Sequence, residues 1–236
     1  MTESHLLDNP TWASLDGPHA SIAERKGQVL RYPPDFCPFY AMPAEPTAQD
    51  WADAAALAGP GGLVTLAATR VPFPDHWELT WRGGEGVQMV AGETVGRDHA
   101  ELADDDIVRL GPADVPEVLD LVGRTRPGPF RSRTIELGTY LGIRRAGALV
   151  AMAGERLHPS GFTEISAICT DEEWRGHGFG SRLTLAVAAG IRARGEVPFL
   201  HAVATNVGAI RLYEKLGFEH RRTTMFKTAR VPQGTD

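Results

Sequence analysis

The run Arg175-Gly176-His177-Gly178-Phe179-Gly180 is the part of the chain best suited to chemistry. It follows the apolar stretch Ile165-Ser166-Ala167-Ile168-Cys169 and leads straight into Ser181-Arg182-Leu183-Thr184-Leu185, an order that reads as strand, glycine-rich turn and helix. Such a turn leaves backbone N–H groups unpaired at a helix start, where the positive end of the helix dipole adds to them. Together they make a site for a phosphate or pyrophosphate. Glycine at 176, 178 and 180 suits that use, because a Cβ there would block close approach or forbid the required φ. Two other nucleotide readings fit poorly. A Walker loop ends in Gly-Lys-Ser/Thr, and Gly180-Ser181-Arg182 supplies no lysine. A dinucleotide fingerprint spaces its glycines Gly-x-Gly-x-x-Gly, whereas these fall at every second position, after antiparallel strands.

About thirty residues downstream comes Asn206-x-x-Ala209-x-x-x-Tyr213-x-x-x-Gly217-Phe218. Arg175-x-x-Gly178-x-Gly180 after a strand, followed at this distance by that second motif, resembles the GNAT superfamily of acyl-CoA-dependent N-acyltransferases. The stretch from His201 to Phe218 looks like its glycine-N-acyltransferase-like branch. The resemblance covers roughly residues 107–228, and the first hundred residues lie outside it.

The resemblance implies an α/β fold with a mixed, mainly antiparallel central sheet flanked by helices. It implies acetyl-CoA as co-substrate, with the pantetheine arm bonded like an added strand to the backbone of Ile168, Cys169 and Thr170. The pyrophosphate would lie on the loop from Arg175 through Gly176, His177, Gly178, Phe179 and Gly180 to Ser181. Acyl transfer from a thioester to an amine needs a neutral amine, a stabilised tetrahedral oxyanion and a proton for the leaving thiolate. By the same resemblance Tyr213 is the general acid, its phenol being protonated at neutral pH. Asn206 caps the following helix and reaches the cofactor. The peptide N–H of Cys169 or Ile168 is the oxyanion donor. Glu164, on the strand leading to the turn, is the first candidate to take the amine proton, and Glu155 a weaker one. His201 ends an apolar strand and reads more simply as a packed, satisfied histidine than as a base. Cys169 reads as a small buried hydrophobe.

These groups need a scaffold. Lys26 to Tyr32, Leu63 to Ala68 and His76 to Arg82 read as strands, with Gly83 to Gly86 a hairpin-like turn into Val87 to Val90. Thr47 caps a helix that Gly59 ends. Residues 1–20 read as fraying, and Gly92 to Asp106, with Asp104 and Asp105, as an acidic linker. Further on come a strand at 107–110, a helix from Pro112, and a basic loop, 124–133, able to shape a site for an anionic acceptor. A hairpin over 140–157, a strand at 162–170 and a helix to Arg194 follow. A strand at 198–203, a helix at 206–216 and a last strand at 218–228 complete the chain. Trp77 and Trp81 fall on one face of a presumed strand and read as core. This gives an N-terminal α/β module, 1–100, read as a degenerate acyltransferase half covering the acceptor site, and an acyltransferase domain, 101–236.

Composition bounds the rest. Of the 236 residues 42% are hydrophobic and 23% charged, as in an ordinary globular protein. The net charge of −6 argues against a nucleic-acid partner. It is uneven: residues 1–100 hold 6 Lys and Arg against 13 Asp and Glu. Two distant cysteines, Cys37 and Cys169, suit a reducing cytoplasm, and no secretory signal, membrane span or metal-ligand spacing is evident. The expected reaction moves an acetyl group from acetyl-CoA to a primary amine of a small molecule or peptide, by direct attack, in a monomer or homodimer. A longer acyl donor, a hydroxyl acceptor and a non-catalytic CoA-binding module stay open.

Overall fold

Helix starts and stops follow local chemistry. The computed structural model describes residues 5–97 and 106–233. Thr47 and Asp50 form a capping box at the start of α2 (Ala48–Ala58), which stops at Gly59, φ +78°. Asn9 caps α1 (Pro10–Leu15). Pro112 opens a 3-10 turn leading into α3 (Val115–Thr125), and Arg126 ends α3 in the left-handed region at φ +50°. On α4 (Phe179–Ala193), Leu183, Val187 and Ile191 repeat every fourth residue and are fully buried, so one face of this helix is core. Asn206 caps α5 (Val207–Lys215).

Eleven strands form one sheet among the described residues. They are β1 (Glu24–Lys26), β2 (Val29–Arg31), β3 (Phe39–Ala41), β4 (Leu63–Leu66), β5 (Glu78–Ala91), β6 (Ile107–Leu110), β7 (Tyr140–Arg145), β8 (Ala148–Glu155), β9 (Phe162–Thr170), β10 (Val197–Val203) and β11 (Phe218–Arg230). The order is β1-β2-β3-β4-β11-β5-β10-β9-β8-β7-β6. All neighbours are antiparallel except β3–β4 and β9–β10. The architecture is the mixed, mostly antiparallel α/β sheet with flanking helices expected from the sequence.

Apart from the edge strand β6, the sheet has the same plan from either end. Strands β1, β2 and β3 run antiparallel, α2 crosses over, and β4 lies parallel to β3; β7, β8 and β9, then α4 and β10, repeat the pattern. The next strand of each half crosses to the other: β5 pairs with β10, β11 pairs with β4, and the two pair with each other at the centre. Topology repeats here although no sequence repeat is evident. The segments 1–100 and 101–236 therefore share one sheet. Removing residues 1–97 strips β10 of a partner strand and β11 of both its partners. The shortened chain is expected to show no cooperative thermal transition by circular dichroism, whereas the full chain does.

Several local expectations change for tertiary reasons. Residues 83–86 are not a turn: β5 runs unbroken from Glu78 to Ala91, because β11 offers a partner along that whole length. Register shifts at Phe226/Lys227 and Thr228/Ala229 absorb the local irregularity. A Cβ on Gly86 would lie 2.4 Å from the Phe226 ring, so that glycine makes room for an aromatic rather than for a bend. Trp77 is buried but precedes the strand, and Trp81 is 50% exposed, so the pair do not share a core face. The expected strand over 26–32 is instead the β1–β2 hairpin.

Residues 5–20 do not fray. Leu7 and Leu15 are fully buried, and Asn9 Nδ2 donates to the Met42 carbonyl at 2.8 Å. The described part of the expected linker is packed as well: Val95 is buried and Arg192 donates to the carbonyls of Ala91 and Gly92. Asp104 and Asp105 lie outside the described residues, while Asp106 pairs with Arg145 and Arg182. One apolar cluster fills the space between the sheet and α4 and α5. On the opposite face, others lie beneath α1 and α3. No helix among the described residues is long and apolar enough to cross a membrane.

Candidate active site

A fork opens in the middle of the sheet. β9 and β10 pair in parallel only as far as Ile165 opposite Leu200. Beyond that point β9 stays with β8, out to Thr170 opposite Ala151, while β10 stays with β5, out to Val203 opposite Gly86. A bulge between the Cys169 and Ser166 pairings, with Ala167 at φ +54°, bends β9 away. Ile168, Cys169 and Thr170 thus line the β9 side of the fork, where their β10-facing edge has no ladder partner. The Cys169 thiol is buried, and burial pushes it up to about 11, so it is a packed, uncharged group.

The glycine-rich loop stands where α4 begins. Gly176 and Gly178 have φ of +84° and +75°, which only glycine adopts without strain, and a Cβ on either would meet no atom within 4 Å. Gly178 is the N-cap of α4 and supplies no side-chain cap. The first backbone N–H near this end to find a helical acceptor is that of Arg182, bonded to the Gly178 carbonyl at 3.1 Å. Among the described residues, the N–H groups of 176–181 donate no hydrogen bond. Gly180 differs from its neighbours. Its φ is unexceptional, and a Cβ there would make only ordinary contacts, 3.8 Å to Leu212 and 3.9 Å to the Thr170 hydroxyl. The chain's own conformation does not require glycine at 180.

The side chains of the loop are mostly structural. Phe179 is buried and lies beneath the guanidinium groups of Arg145 and Arg182. His177 packs against Trp174 and Phe179, with its Nδ1 beside the Trp174 and Arg175 carbonyls. Arg175 is largely exposed and only loosely paired with Glu172, at 3.9 Å. Ser181 falls in the first turn of α4.

Tyr213, on α5, is 6% exposed and packs edge-on against Phe218. Burial, with Cys169 adding to it, pushes its hydroxyl up to about 12, so it keeps its proton throughout the neutral range. Its hydroxyl has no hydrogen-bond partner among the described residues. Asn206 accepts from the Ala209 N–H at 3.2 Å, the helix-capping part of its expected role.

Glu164 is placed differently from a free base. It is 1% exposed, and its oxygens accept from Arg156 Nε and Nη2, each at 2.9 Å, and from His201 Nδ1 at 2.7 Å. Burial pushes this carboxyl up, but Arg156 and His201 outweigh it and hold it at about 2. Glu155 is also buried and engaged, accepting from Arg194 at 3.0 Å and from the Thr139 N–H at 3.2 Å. His201 is satisfied at both nitrogens. The Gln88 amide is oriented by donation to the Leu7 carbonyl at 2.8 Å and by acceptance from Arg221 at 2.8 Å. Its NH2 therefore faces His201 Nε2 at 3.0 Å, and Nδ1–H is left to donate to Glu164.

The same plan is seen in known proteins. A GNAT-family structure from Novosphingobium aromaticivorans shares 37% identity with this chain, covers 98% of it and 100% of itself, and superposes with a TM-score of 0.85. The chain belongs to the GNAT family. Within it, residues 140–227 match the family described as FR47-like protein, a span running from β7 to near the end of β11 and holding the fork, the loop and Tyr213. A GCN5-related N-acetyltransferase from Kribbella flavida shares the fold, at 17% identity over 95% of each chain and a TM-score of 0.59. Among curated proteins, the mycothiol acetyltransferase of Thermobispora bispora is 38% identical over 81 residues, and that of Nocardiopsis dassonvillei 33% over 91. The chain spans under a third of the length of these curated relatives, 28% and 27%.

Sequence reasoning missed three groups that hold Glu164 and His201 in place, directly or through one another: Arg156, Gln88 and Arg221. A charged Glu155-Arg156 pair closing an apolar strand signals a buried ion that needs a partner. Gln88 inside Val87-Gln88-Met89-Val90 is a similar signal.

Proposed function

We propose that the chain is an acetyl-CoA-dependent N-acetyltransferase acting on a primary amine of a small molecule or peptide. The observation that carries this reading is the set of undonated N–H groups at 176–181 beside an unpaired strand edge at 166–170. The residues fit the cofactor: the amides suit a pyrophosphate, the bare positions 176 and 178 leave room, and the edge of β9 suits the amides of a pantetheine arm. Bound acetyl-CoA supplies an acyl group already activated as a thioester. The N–H of Ile168 or Cys169 then stabilises negative charge on the carbonyl oxygen. As the amine nitrogen bonds to the carbonyl carbon and the C–S bond breaks, Tyr213 would give its Oη proton to the departing thiolate, and the proton shed by the amine would pass to solvent, from which Tyr213 regains one. The placing in the glycine-N-acyltransferase-like branch rests on the His201–Phe218 motif. The acetyl donor is supported by the acetyltransferase names of the curated relatives.

A second reading, a non-catalytic CoA-binding module, is favoured by one observation: both carboxylates expected to serve as base are buried and engaged. Thiol release over a panel of amines separates the two. The enzyme reading expects release with at least one amine and, at hundredfold excess over Kd, a stabilisation of about 2.7 kcal/mol by acetyl-CoA. Stabilisation without release by any amine favours the module, and neither effect ends both readings. Gly180→Ala sharpens the assignment of the loop. It is expected to leave the melting temperature unchanged, because the chain accommodates the Cβ. It should weaken acetyl-CoA binding roughly tenfold by calorimetry, an extra methyl group standing between the amides and the phosphates.

A further inference from the structure

The root of the fork is bridged by side chains. Glu164 lies opposite Phe199 in the β9–β10 register, and His201 is the first residue beyond the last paired position, Leu200. Their 2.7 Å hydrogen bond therefore crosses from β9 to β10 where the ladder ends. Each end of this bridge is held in turn. Arg156, just beyond β8, grips Glu164 with two parallel hydrogen bonds and lies 4.8 Å from the centre of the Phe39 ring. Gln88 of β5 holds the other side of His201, and Arg221 of β11 holds Gln88 and reaches Asp8 at 2.7 Å. The tie thus runs across the sheet from the end of β8 to β11 at one level. Glu164, Arg156, Gln88 and the His201 side chain are all more than nine-tenths buried. An Arg–carboxylate pair with two parallel bonds is planar and directional, so it fixes position as well as charge.

We propose that Glu164 and His201 are positioning residues: their tie sets how far β9 and β10 part and so how tightly the pantetheine arm seats along the open edge of β9 at Ile168 to Thr170. This rests on the acyl-CoA reading of the fork. It gives Glu164 a use that its three accepted hydrogen bonds allow, whereas taking a proton from an amine would require breaking the Arg156 or His201 contact first. It also explains why a strand from the first half of the chain carries Gln88 into the working half.

The test compares His201→Leu, which removes the bridge, with His201→Asn, whose amide keeps a donor for Glu164 and cannot act as a base. Acetyl-CoA affinity is read by calorimetry. Turnover is read at saturating acetyl-CoA with an amine that the wild-type protein acetylates. His201→Leu is expected to raise Kd and KM for acetyl-CoA roughly tenfold with turnover at saturation little changed, and His201→Asn to restore both constants. Should His201→Leu not fold, Gln88→Met loosens the same tie from its far side and is expected to raise Kd in the same way. Turnover falling about a hundredfold at unchanged Kd in both His201 variants would give the pair a proton-transfer role and overturn the proposal. An unmoved Kd in His201→Leu, or in Gln88→Met where that stands in, overturns it too. A wild-type protein that takes up no acetyl-CoA removes the reading of the fork itself, an outcome seen before any variant is compared.

Discussion

Tyr213→Phe is expected to lower kcat by about two to four orders of magnitude, the usual range for a positioned acid, with acetyl-CoA affinity essentially unchanged. The change deletes one oxygen. The ring keeps its contact with Phe218, and the backbone amides of the glycine-rich loop are untouched. What is lost is a proton that burial holds on the phenol to about pH 12, next to the fork. The decisive measurement is steady-state kinetics alongside calorimetric Kd. A fall in kcat with constant Kd supports the acid role. If Tyr213 only packs α5 on the sheet, kcat stays, and so does the melting temperature, because the ring and its contact with Phe218 are kept.

Glu164→Ala is expected to destabilise the protein by about 3–5 kcal/mol, because it leaves the Arg156 charge buried without its partner. For a chain of this size that is a fall in melting temperature of roughly 6–20 °C, read by calorimetry. Replacing both partners, as in Arg156→Met with Glu164→Leu, is expected to recover much of the loss, since no charge is then stranded. The pH dependence has a definite sign. The Glu164 carboxyl is held at about 2 in the folded protein, against an ordinary 4.5. Its contribution is complete above pH 4.5 and disappears as the pH falls toward 2. Glu164→Gln should show a shallower acid limb over that window. His19 acts higher up: burial, then the nearby His158, lower it to about 4, so it favours the fold less and less as the pH falls from 6.5 to 4. Chemical denaturation at a series of pH values separates the two windows. Equal acid limbs in wild type and Glu164→Gln would show that Arg156 and Glu164 do not depend on each other for charge.

The glycine-rich loop and its helix were legible because their physics is local. A left-handed φ at Gly176 and Gly178, a cap at Asn206 and an apolar stripe on α4 are written within a few residues of where they act. At position 180 glycine is demanded neither by φ nor by neighbouring protein atoms, which leaves close approach of a ligand as the ground for it. The glycines at 83–86 misled for the opposite reason: local turn propensity yielded to a partner strand more than a hundred residues away. Residues 5–20 looked unstructured because Leu7 and Leu15 find their burial only against distant strands.

By itself, the sequence determined the fold family, the order of strands and helices in the second half, and a loop of free amides at the start of α4. Each depends on backbone conformation and short-range periodicity, which neighbouring residues dictate. Tertiary structure alone decided that β5 and β11 exchange between the halves and that Arg156, Gln88 and Arg221 surround Glu164 and His201. A buried polar group must find its partner wherever the sheet brings one, and for the Gln88 amide and Arg221 that meeting spans 133 residues of chain.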